Sequence, residues 1–600
     1  MCGIIGFYGR QCLSLDTQYL SLLKHRGPDD AKVIHGENFS FGHSRLSILG
    51  LNDGDQPIQD SIGNVLVYNG EIYNCHELQR EFLQTNFRSD ARILFELLKS
   101  QGHRILPRLR GMFAFAFFDR HSKRVLLARD PFGMKPLFYR FKDSVLFFSS
   151  ELKAMQPLEI DWNNFEEFLY FSNPLPGQTL YRDIHELKPG EYLTCDGHRL
   201  DHARYFRLWK IIEHPFESTT TFSEAMENTL KSHILSDVPV GLLLSSGVDS
   251  SSLALAASKA NVNLSTFTMA YADPEFDESL QARKLAEHLK LEYLLIPFGS
   301  DNLREELEEA LAKMDQPFGD PSFLPTYQLS RAVSKITKVV LGGDGGDELF
   351  FGYPTFQAEA YHQKLPTFLR GLFYRLAGSL GRTSTSRVDL REKMLRFSWG
   401  QNLETLERHS RFMCSGMPSF YSQNFYESID SKMKALLKED GLNQLGPWSE
   451  TFFYYFRLYL GNLILVKTDR ASMANGLEVR CPFLDIDFIQ SAFAYPDSGF
   501  PVLQAPKQKL RSYLKESIPS HLLNFQKKGF STPLQKVLPV LENIVCDHHK
   551  LHLPSLEHLR ATAPYWLYNI LVFLYHHPEE QALETLNRAV HKHSYLESAI

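Results

Sequence analysis

The strongest constraint on this chain is a strand–turn–helix pattern just before its middle. An apolar run over 238–244 predicts a buried parallel strand, and the turn Ser245-Ser246-Gly247-Val248-Asp249-Ser250-Ser251 follows it. Good helix formers at 253–257 then predict a helix. Such a turn presents backbone N–H groups and a helix N-terminus, both of which bind phosphate. The Walker P-loop lysine is absent, so the alternatives are another kind of nucleotide site and an ordinary strand–helix connection.

A second apolar strand, beginning at Val339, favours the nucleotide site. It ends in Gly342-Gly343-Asp344-Gly345-Gly346-Asp347-Glu348. Glycines let the backbone approach a ligand closely, and carboxylates at the C-terminal end of a strand suit Mg²⁺. A flexible acidic loop is the alternative. A further strand over 264–269 and a helix over 279–289 continue the alternation, which predicts a doubly wound parallel sheet with its ligand at the strand C-termini.

These two segments together resemble the signature of the N-type ATP pyrophosphatases, usually written S-G-G-x-D-S, with Ser246 in place of the first glycine. The resemblance implies that Asp249 and Asp347 bind Mg²⁺ between the phosphates of ATP. It also implies a set of ATP-binding residues: Leu244 and Met269 flanking adenine, Ser245, Ser246, Gly247, Ser250 and Ser251 around pyrophosphate, and Gly342 and Gly343 close to the nucleotide.

Length and composition place the chain among large globular proteins. Its 600 residues are too many for one core and suggest two to four domains. A net charge of −6 gives no basic field, so no nucleic-acid partner is expected. Seven scattered cysteines without C-x-x-C spacing argue against a disulfide framework and a zinc site. There is no run of about 18 apolar residues and no signal-peptide pattern, so we expect no membrane partner and a cytoplasmic location.

The N-terminus carries a second candidate centre. Removal of Met1 would leave Cys2 with a free α-amine of pKa about 7.7–8.0, so a thiol and a base would share one residue. Position alone does not make a cysteine a nucleophile. The segments 25–29, 42–48 and 68–74 combine short apolar runs with Gly and Asn turns, which is typical of an antiparallel sandwich.

These segments resemble the glutaminase domain of class II amidotransferases, which are N-terminal-nucleophile hydrolases with an αββα sandwich. The resemblance implies that Cys2 is the nucleophile and that Asn69 and the Gly70 N–H form the oxyanion hole. Three further residues would bind glutamine: Arg45 its α-carboxylate, and Glu71 and Asp90 its α-amine. One departure is that Ala91-Arg92 follows Asp90, where the family has a second acid.

The segment Arg129-Asp130-Pro131-Phe132-Gly133 is interpreted as structural, with a buried Arg–Asp pair and a turn glycine. The pattern loses its periodicity over 205–221, which places a linker there and domains at 1–205 and 206–600. Residues 355–460 predict a helical layer, in which the aromatic run 452–456 is core. The stretch from about 534 is also predicted to be helical.

The segments 465–485, 507–511 and 527–533 resemble the synthetase domain of glutamine-hydrolysing asparagine synthetases. With the first domain, this resemblance covers nearly the whole chain. In that family ATP activates a carboxylate as an acyl-adenylate, and ammonia released at the cysteine travels through an internal tunnel and displaces AMP. The resemblance implies glutamine, ATP and aspartate as substrates, Mg²⁺, Lys527 on the phosphates, and plausibly a homodimer. Lys507 is interpreted as an exposed helical lysine.

The acceptor is the open point. Asp344 stands where many asparagine synthetases carry a glutamate, and Asp315-Gln316-Pro317 replaces the usual D-E-P. A side chain shorter by about 1.5 Å needs a compensating backbone shift or a different acceptor, such as a sugar uronate or a peptide carboxylate. A non-catalytic nucleotide or amino-acid sensor is disfavoured because Cys2 and Asp249 are both present. A lactam synthetase of similar fold is disfavoured because such enzymes typically lose the cysteine.

Overall fold

The structure is a computed structural model that describes residues 2–10, 14–213, 220–271, 273–274, 277–299, 302–364, 366, 405, 409, 421–442, 447–494, 506–523, 534–553 and 556–597. Its strands are β1 Gly3–Tyr8, β2 Asp30–His35, β3 Phe39–Arg45, β4 Ile58–Gln59, β5 Val65–Ile72, β6 Gly111–Asp119, β7 Arg124–Arg129, β8 Phe138–Lys142, β9 Val145–Ser149, β10 His185–Glu186, β11 Glu191–Cys195, β12 Leu200–Arg204, β13 Val240–Leu243, β14 Ser265–Tyr271, β15 Glu292–Phe298, β16 Val339–Leu341 and β17 Glu478–Arg480.

The α-helices are α1 Thr17–Leu23, α2 Cys75–Phe82, α3 Asp90–Gln101, α4 Trp162–Phe171, α5 Leu208–Glu213, α6 Phe222–His233, α7 Val248–Lys259, α8 Ser279–Leu289, α9 Leu303–Lys313, α10 Phe323–Val333, α11 Gly346–Leu349, α12 Pro354–Lys364, α13 Gln423–Glu439, α14 Pro447–Phe453, α15 Leu465–Met473, α16 Ile486–Ala494, α17 Gln508–Lys515, α18 Leu534–His549, α19 Glu557–Thr562, α20 Pro564–His576 and α21 Glu580–Glu597. A π-helical segment, Tyr454–Ile464, joins α14 to α15.

Two antiparallel sheets form the N-terminal region, which ends with β12. Their strand orders are β10-β8-β9-β1-β3-β2 and β12-β11-β7-β6-β5-β4. Apolar side chains from both sheets, among them Ile4, Phe41, Val67 and Ala116, meet in one buried cluster, so the sheets pack face to face. Helices α2 and α3 cover the outer face of the second sheet, and α1 packs on the first. The predicted antiparallel sandwich is confirmed.

The C-terminal region, from α6 onward, is built on a parallel sheet of order β15-β14-β13-β16-β17. All its neighbouring strands run parallel. The order reverses direction between β13 and β16, and ligands of doubly wound sheets bind at such a switch point. The turn after β13 and the glycine-rich turn after β16 are the two segments that the sequence singled out, and the topology places them side by side.

The two regions share buried cores. The cluster around β1 includes Phe7 and Leu20 together with Trp566 and Phe573 of α20. A second cluster joins Met112 and Phe132 to the C-terminal sheet and its helices. The aromatic residues Phe452 to Phe456 are all buried, as expected of core. Within the described part of the chain, no helix is long and apolar enough to cross a membrane.

Two interpretations of the sequence need correction. The stretch around 205–221 is not wholly irregular, because its residues Leu208–Glu213 form the helix α5. Arg129 forms its ion pair with Glu186 rather than with Asp130, and it also donates to three backbone carbonyls. Asp130 instead accepts from the backbone N–H groups of Phe132, Met134 and Lys135. Both residues hold turns, so the structural role stands.

Four buried histidines should make the fold acid-sensitive. Burial lowers the pKa of His43 and His576 to about 3, and that of His233 and His577 to about 4. In the unfolded chain each titrates near 6.5. The unfolded state therefore binds more protons below that pH, and stability falls as the pH drops from about 6.5 towards 4. The loss is of the order of 2 kcal/mol per histidine at pH 5.

Melting temperatures between pH 4 and 8 measure this effect. His576 has an Nε2 atom without a hydrogen-bond partner among the described residues. His576→Phe should therefore flatten the pH dependence, whereas the same change at the exposed His548 should leave it as it is. An unchanged slope in His576→Phe would contradict the assignment.

Candidate active sites

Cys2 lies at the start of β1, beside the end of β3. The register pairs Gly3 with Ser44, so Arg45 lies next to Cys2 across the two strands. The thiol is buried, and burial raises its pKa. The main-chain nitrogen of Cys2 donates to Oδ1 of Asn69 at 2.9 Å. Here that nitrogen belongs to the Met1–Cys2 peptide, and it becomes the α-amine when Met1 is removed.

Asn69 and Gly70 stand on β5, opposite Cys2. Nδ2 of Asn69 is buried without a hydrogen-bond partner in the described part of the structure. The N–H groups of Tyr68 and Ile72 donate to side chains, those of Gln56 and Asp90, rather than to β6. Because N–H directions alternate along a strand, the Gly70 N–H also points away from β6. Two donors at successive residues are thus available for an anion.

The predicted glutamine-binding residues have other partners in this structure. Arg45 donates to Asp55 at 2.5 Å and to the carbonyl of Gly50 at 2.8 Å. Asp90 accepts from the Tyr68 hydroxyl at 2.6 Å as well as from Ile72 N–H. Glu71 lies 3.1 Å from the guanidinium of Arg480, which belongs to the C-terminal region. Arg45 and Asn69 therefore surround Cys2, whereas Glu71 reaches across to the other region.

The turn after β13 is folded by its own hydroxyls. The side chains of Ser245 and Ser250 share a hydrogen bond at 2.9 Å, and the Gly247 N–H donates to Ser245 Oγ at 3.1 Å. Gly247 caps the N-terminus of α7. The Ser246 N–H donates to the carboxylate of Glu278 at 3.1 Å. An anionic oxygen thus already accepts from this loop, which is what a phosphate would do.

Leu244 and Met269 are buried, but they do not form one pocket. The side chain of Leu244 belongs to the cluster shared with the N-terminal region, and that of Met269 to the cluster on β14 and β16. Leu244 is fixed instead through its backbone, which bonds to Phe267 and to the hydroxyl of Thr268. The structure does not bring the two predicted adenine contacts together.

A buried lysine joins the two predicted metal-binding carboxylates. Nζ of Lys507 contacts Oδ2 of Asp249 and lies 2.7 Å from Oδ1 of Asp347. Burial disfavours its charge, but the two carboxylates outweigh that effect and raise the pKa of Lys507. The interpretation of Lys507 as an exposed helical lysine is therefore wrong. It has φ 57°, precedes the first turn of α17, and is 6% exposed.

Glycines pack this cluster tightly. A Cβ on Gly346 would lie 2.6 Å from Cγ of Asp249, and one on Gly352 would lie 2.1 Å from Oδ1 of Asp347. Gly343 approaches Asp249 to 3.2 Å by the same measure, while Gly342 is held by a hydrogen bond from its N–H to the Arg480 carbonyl. The sequence indicated close approach here, but not which atoms approach.

Asp344 points away from the pair formed by Asp249 and Asp347. Its Oδ2 accepts from the Thr468 hydroxyl at 3.0 Å. Burial raises the pKa of Asp344, against the attraction of the Lys467 ammonium. Glu348 is also buried, and its pKa rises to about 8. The Gln316 amide donates to Asn173 of the N-terminal region, and Asp315 caps residues 152 and 153, so this loop serves the contact between regions.

Lys527, predicted on the phosphates, lies outside the described residues. Sequence reasoning underrated Lys507 and gave Arg480 and Asp469 no role. Their functional geometry depends on partners more than 200 residues away along the chain. The only local signal was their place within the segments 465–485 and 507–511.

Comparisons with known proteins agree with this arrangement. A family model for asparagine synthase matches residues 221–563, more than half of the chain, and a glutamine amidotransferase domain model matches residues 1–206. Asparagine synthetase [glutamine-hydrolyzing] 1 of Bacillus subtilis is 29% identical over 573 residues, covering 89% of this chain and 87% of the relative.

Two further matches differ in weight. A protein named amidase chyE from Penicillium rubens is 27% identical over 570 residues, covering 86% of this chain and 84% of its own. A solved glutamine phosphoribosylpyrophosphate amidotransferase from B. subtilis, in complex with ADP and GMP, aligns with a TM-score of 0.26 at 16% identity. That alignment covers 57% of this chain and 82% of the other, and so poor a superposition says nothing about the fold.

The chain is thus a glutamine-dependent amidotransferase and ligase, with an amidotransferase domain followed by a synthetase domain that uses ATP as a substrate. Within that class it belongs to the asparagine synthase family.

Proposed function

We propose that this enzyme is a glutamine-hydrolysing asparagine synthetase, with domains at 1–205 and 206–600. The observation that carries the proposal is the carboxylate pair Asp249 and Asp347, clamped on a buried lysine at the switch point of the sheet, in a chain that also carries Cys2 beside Asn69. The first domain would have the N-terminal-nucleophile fold. A homodimer is also proposed, on the family resemblance alone.

In the first reaction, glutamine is hydrolysed at Cys2. Its Sγ attacks the side-chain carbonyl of glutamine, and the α-amine freed by removal of Met1 takes up the thiol proton. The unpaired Nδ2 of Asn69 and the Gly70 N–H stabilise the oxyanion. Arg45 exchanges its exposed partner Asp55 for the glutamine carboxylate, and Glu71 and Asp90 bind the amine. Ammonia then leaves, and water releases glutamate from the thioester.

In the second reaction, the acceptor carboxylate attacks the α-phosphate of ATP and expels pyrophosphate. Hydroxyls and N–H groups of Ser245, Ser246, Gly247, Ser250 and Ser251 cradle the departing phosphates, replacing the carboxylate of Glu278 that the loop now binds. Lys507 and Lys527 balance their charge. Ammonia from Cys2, arriving through an internal tunnel, attacks the acyl-adenylate and displaces AMP.

The residues fit a magnesium ion. Asp249 and Asp347 converge on one cation in this structure, the ammonium of Lys507. Within the described ranges no group of three or more His, Cys, Asp or Glu side chains could hold a metal. That suits Mg²⁺, which commonly binds one or two carboxylates and takes its other ligands from phosphates and water. When bound, it supplies positive charge that neutralises the phosphates.

The acceptor is tested by pyrophosphate release with ATP, Mg²⁺ and glutamine. Aspartate should stimulate release at least about tenfold and yield asparagine and AMP in equal amounts, because Asp344 still offers a buried carboxylate next to Thr468 and Lys467. Sugar uronates and peptide carboxylates are the matched alternatives, since one relative is named an amidase. Intact glutaminase activity without aspartate-dependent release would assign the same chemistry to another acid.

A further inference from the structure

A buried arginine links the main chain of Cys2 to the C-terminal region. Arg26 is fully buried, and its Nε donates to the Cys2 carbonyl at 3.2 Å. Nη1 donates to Glu151 at 3.1 Å. Nη2 reaches both carboxylate oxygens of Asp469, at 3.2 and 2.9 Å. One guanidinium thus spans the nucleophile and a residue more than 440 positions away.

Asp469 lies on α15 (Leu465–Met473), and its other partner also comes from the N-terminal region. The ammonium of Lys135, itself 2% exposed, lies 3.3 Å from Oδ1 of Asp469. Burial opposes the charge on Arg26, yet Asp469 and Glu151 outweigh it and raise the pKa of Arg26. Removing one partner of a buried ionic group leaves an uncompensated charge, so the orientation of Arg26 depends on Asp469.

The helix α15 presents adjacent residues to the two centres. Thr468 donates to Asp344 in the nucleotide site, while Asp469 binds Arg26 behind Cys2. These two side chains are one peptide apart. The helix is therefore a common wall, and its Asp469 side serves the N-terminal centre.

A terminal residue needs such support. Once Met1 is removed, Cys2 is joined to the chain on one side only, and chain ends stay poorly ordered unless they are tied down. Its nitrogen is held by Asn69 and its carbonyl by Arg26. The next backbone anchor is Ile4, whose N–H donates to Ser150. The carbonyl contact thus fixes the peptide from which the thiol projects.

We propose that Asp469 is a positioning residue of the glutaminase centre: it belongs to the synthetase domain, and it acts through Arg26 on the main chain of Cys2. The glutaminase centre is incomplete without this carboxylate. The inference rests on the proposed role of Cys2 as nucleophile.

Asp469→Asn tests it, because asparagine keeps the shape and removes the charge. We expect kcat for glutamine hydrolysis to fall about tenfold or more, since a misplaced nucleophile loses its attack geometry. The KM for glutamine should change less than twofold, as should pyrophosphate release supported by ammonia. Asp469→Glu should recover part of kcat because it restores the charge. Arg26→Gln should give the same split from the other side of the contact.

The matched control is Asp440→Asn. Asp440 is also a buried carboxylate that binds a buried arginine, Arg457, by two oxygens, and Arg457 in turn donates to Pro131 of the N-terminal region. It touches neither centre, so it should lower the melting temperature without the kcat split.

Three outcomes overturn the inference. Normal glutaminase kcat in Asp469→Asn and Arg26→Gln, with Cys2→Ala inactive, removes the positioning role and leaves the nucleophile. Equal loss of glutamine-dependent and ammonia-dependent activity reduces Asp469 to a structural contact. Retained glutaminase activity in Cys2→Ala instead overturns the proposed function, and the inference with it.

Discussion

Replacing Cys2 with alanine is expected to abolish glutamine-dependent synthesis while free ammonia still supports it. The loss in kcat with glutamine should be at least about 1,000-fold, because removing a nucleophile takes away the covalent path rather than one stabilising contact. Ammonia enters after that step. Product formation with ammonium chloride at alkaline pH, where free NH₃ is abundant, should remain within about twofold of the parent enzyme.

The Cys2→Ala experiment has a built-in control for folding. The side chain is small and its main-chain contacts to Asn69 and Arg26 do not involve sulfur, so those contacts survive the change. Cys75→Ala removes another buried cysteine, one that lies in the core behind β5, and should leave both nitrogen sources active. Equal loss with glutamine and ammonia in Cys2→Ala would contradict separate centres. Intact-mass measurement of the parent enzyme should find Met1 removed.

The sequence predicted both sheets because their signals are local. An apolar strand, a turn of small residues and a helix former follow each other within 20 residues around Ser245, and the structure has β13 and α7 there. The helix expected over 279–289 occurs with those bounds. Hydrophobic periodicity and turn residues decide such elements before any long-range contact forms.

Side-chain partners could not be obtained in the same way. Lys507 stands in a segment that reads as an amphipathic helix, and only the left-handed conformation of its backbone turns its side chain towards Asp249 and Asp347. Arg129 was expected to pair with its sequence neighbour, yet it binds Glu186 because β7 and β10 belong to neighbouring parts of one region. Such pairings are set by tertiary packing, for which a single sequence carries no local signal.

The departures from the family pattern acquire a physical setting. Asp344 is shorter than the usual glutamate, and Thr468 already donates to it at 3.0 Å. That hydrogen bond holds the carboxylate against α15, so the space that a longer side chain would fill stays open beside the nucleotide site. An acceptor whose reacting group extends further into the site than aspartate does could occupy this space. The substrate panel for pyrophosphate release therefore decides what the shorter acid means.

Asp249→Asn is expected to remove pyrophosphate release with either nitrogen source, by about 100-fold or more. Asparagine has nearly the same shape as aspartate, so the tight packing of Gly343 and Gly346 around this side chain is preserved. What changes is charge: the pair that converges on Lys507 becomes a single carboxylate, Asp347. One carboxylate cannot balance the ammonium and also hold a divalent cation against four or more phosphate charges.

The Asp249→Asn result is distinguished from misfolding by the other centre. Glutaminase activity should persist, because Asp249 has no contact with Cys2 or Arg26. Raising the Mg²⁺ concentration should restore part of the lost rate if weaker metal affinity is the cause, whereas a purely structural defect would not respond. Pyrophosphate release at the parent rate would remove Asp249 from the nucleotide site. Taken with Cys2→Ala, this variant forms a reciprocal pair, because each abolishes one half-reaction and spares the other. Only two centres joined by transfer of ammonia produce that pattern.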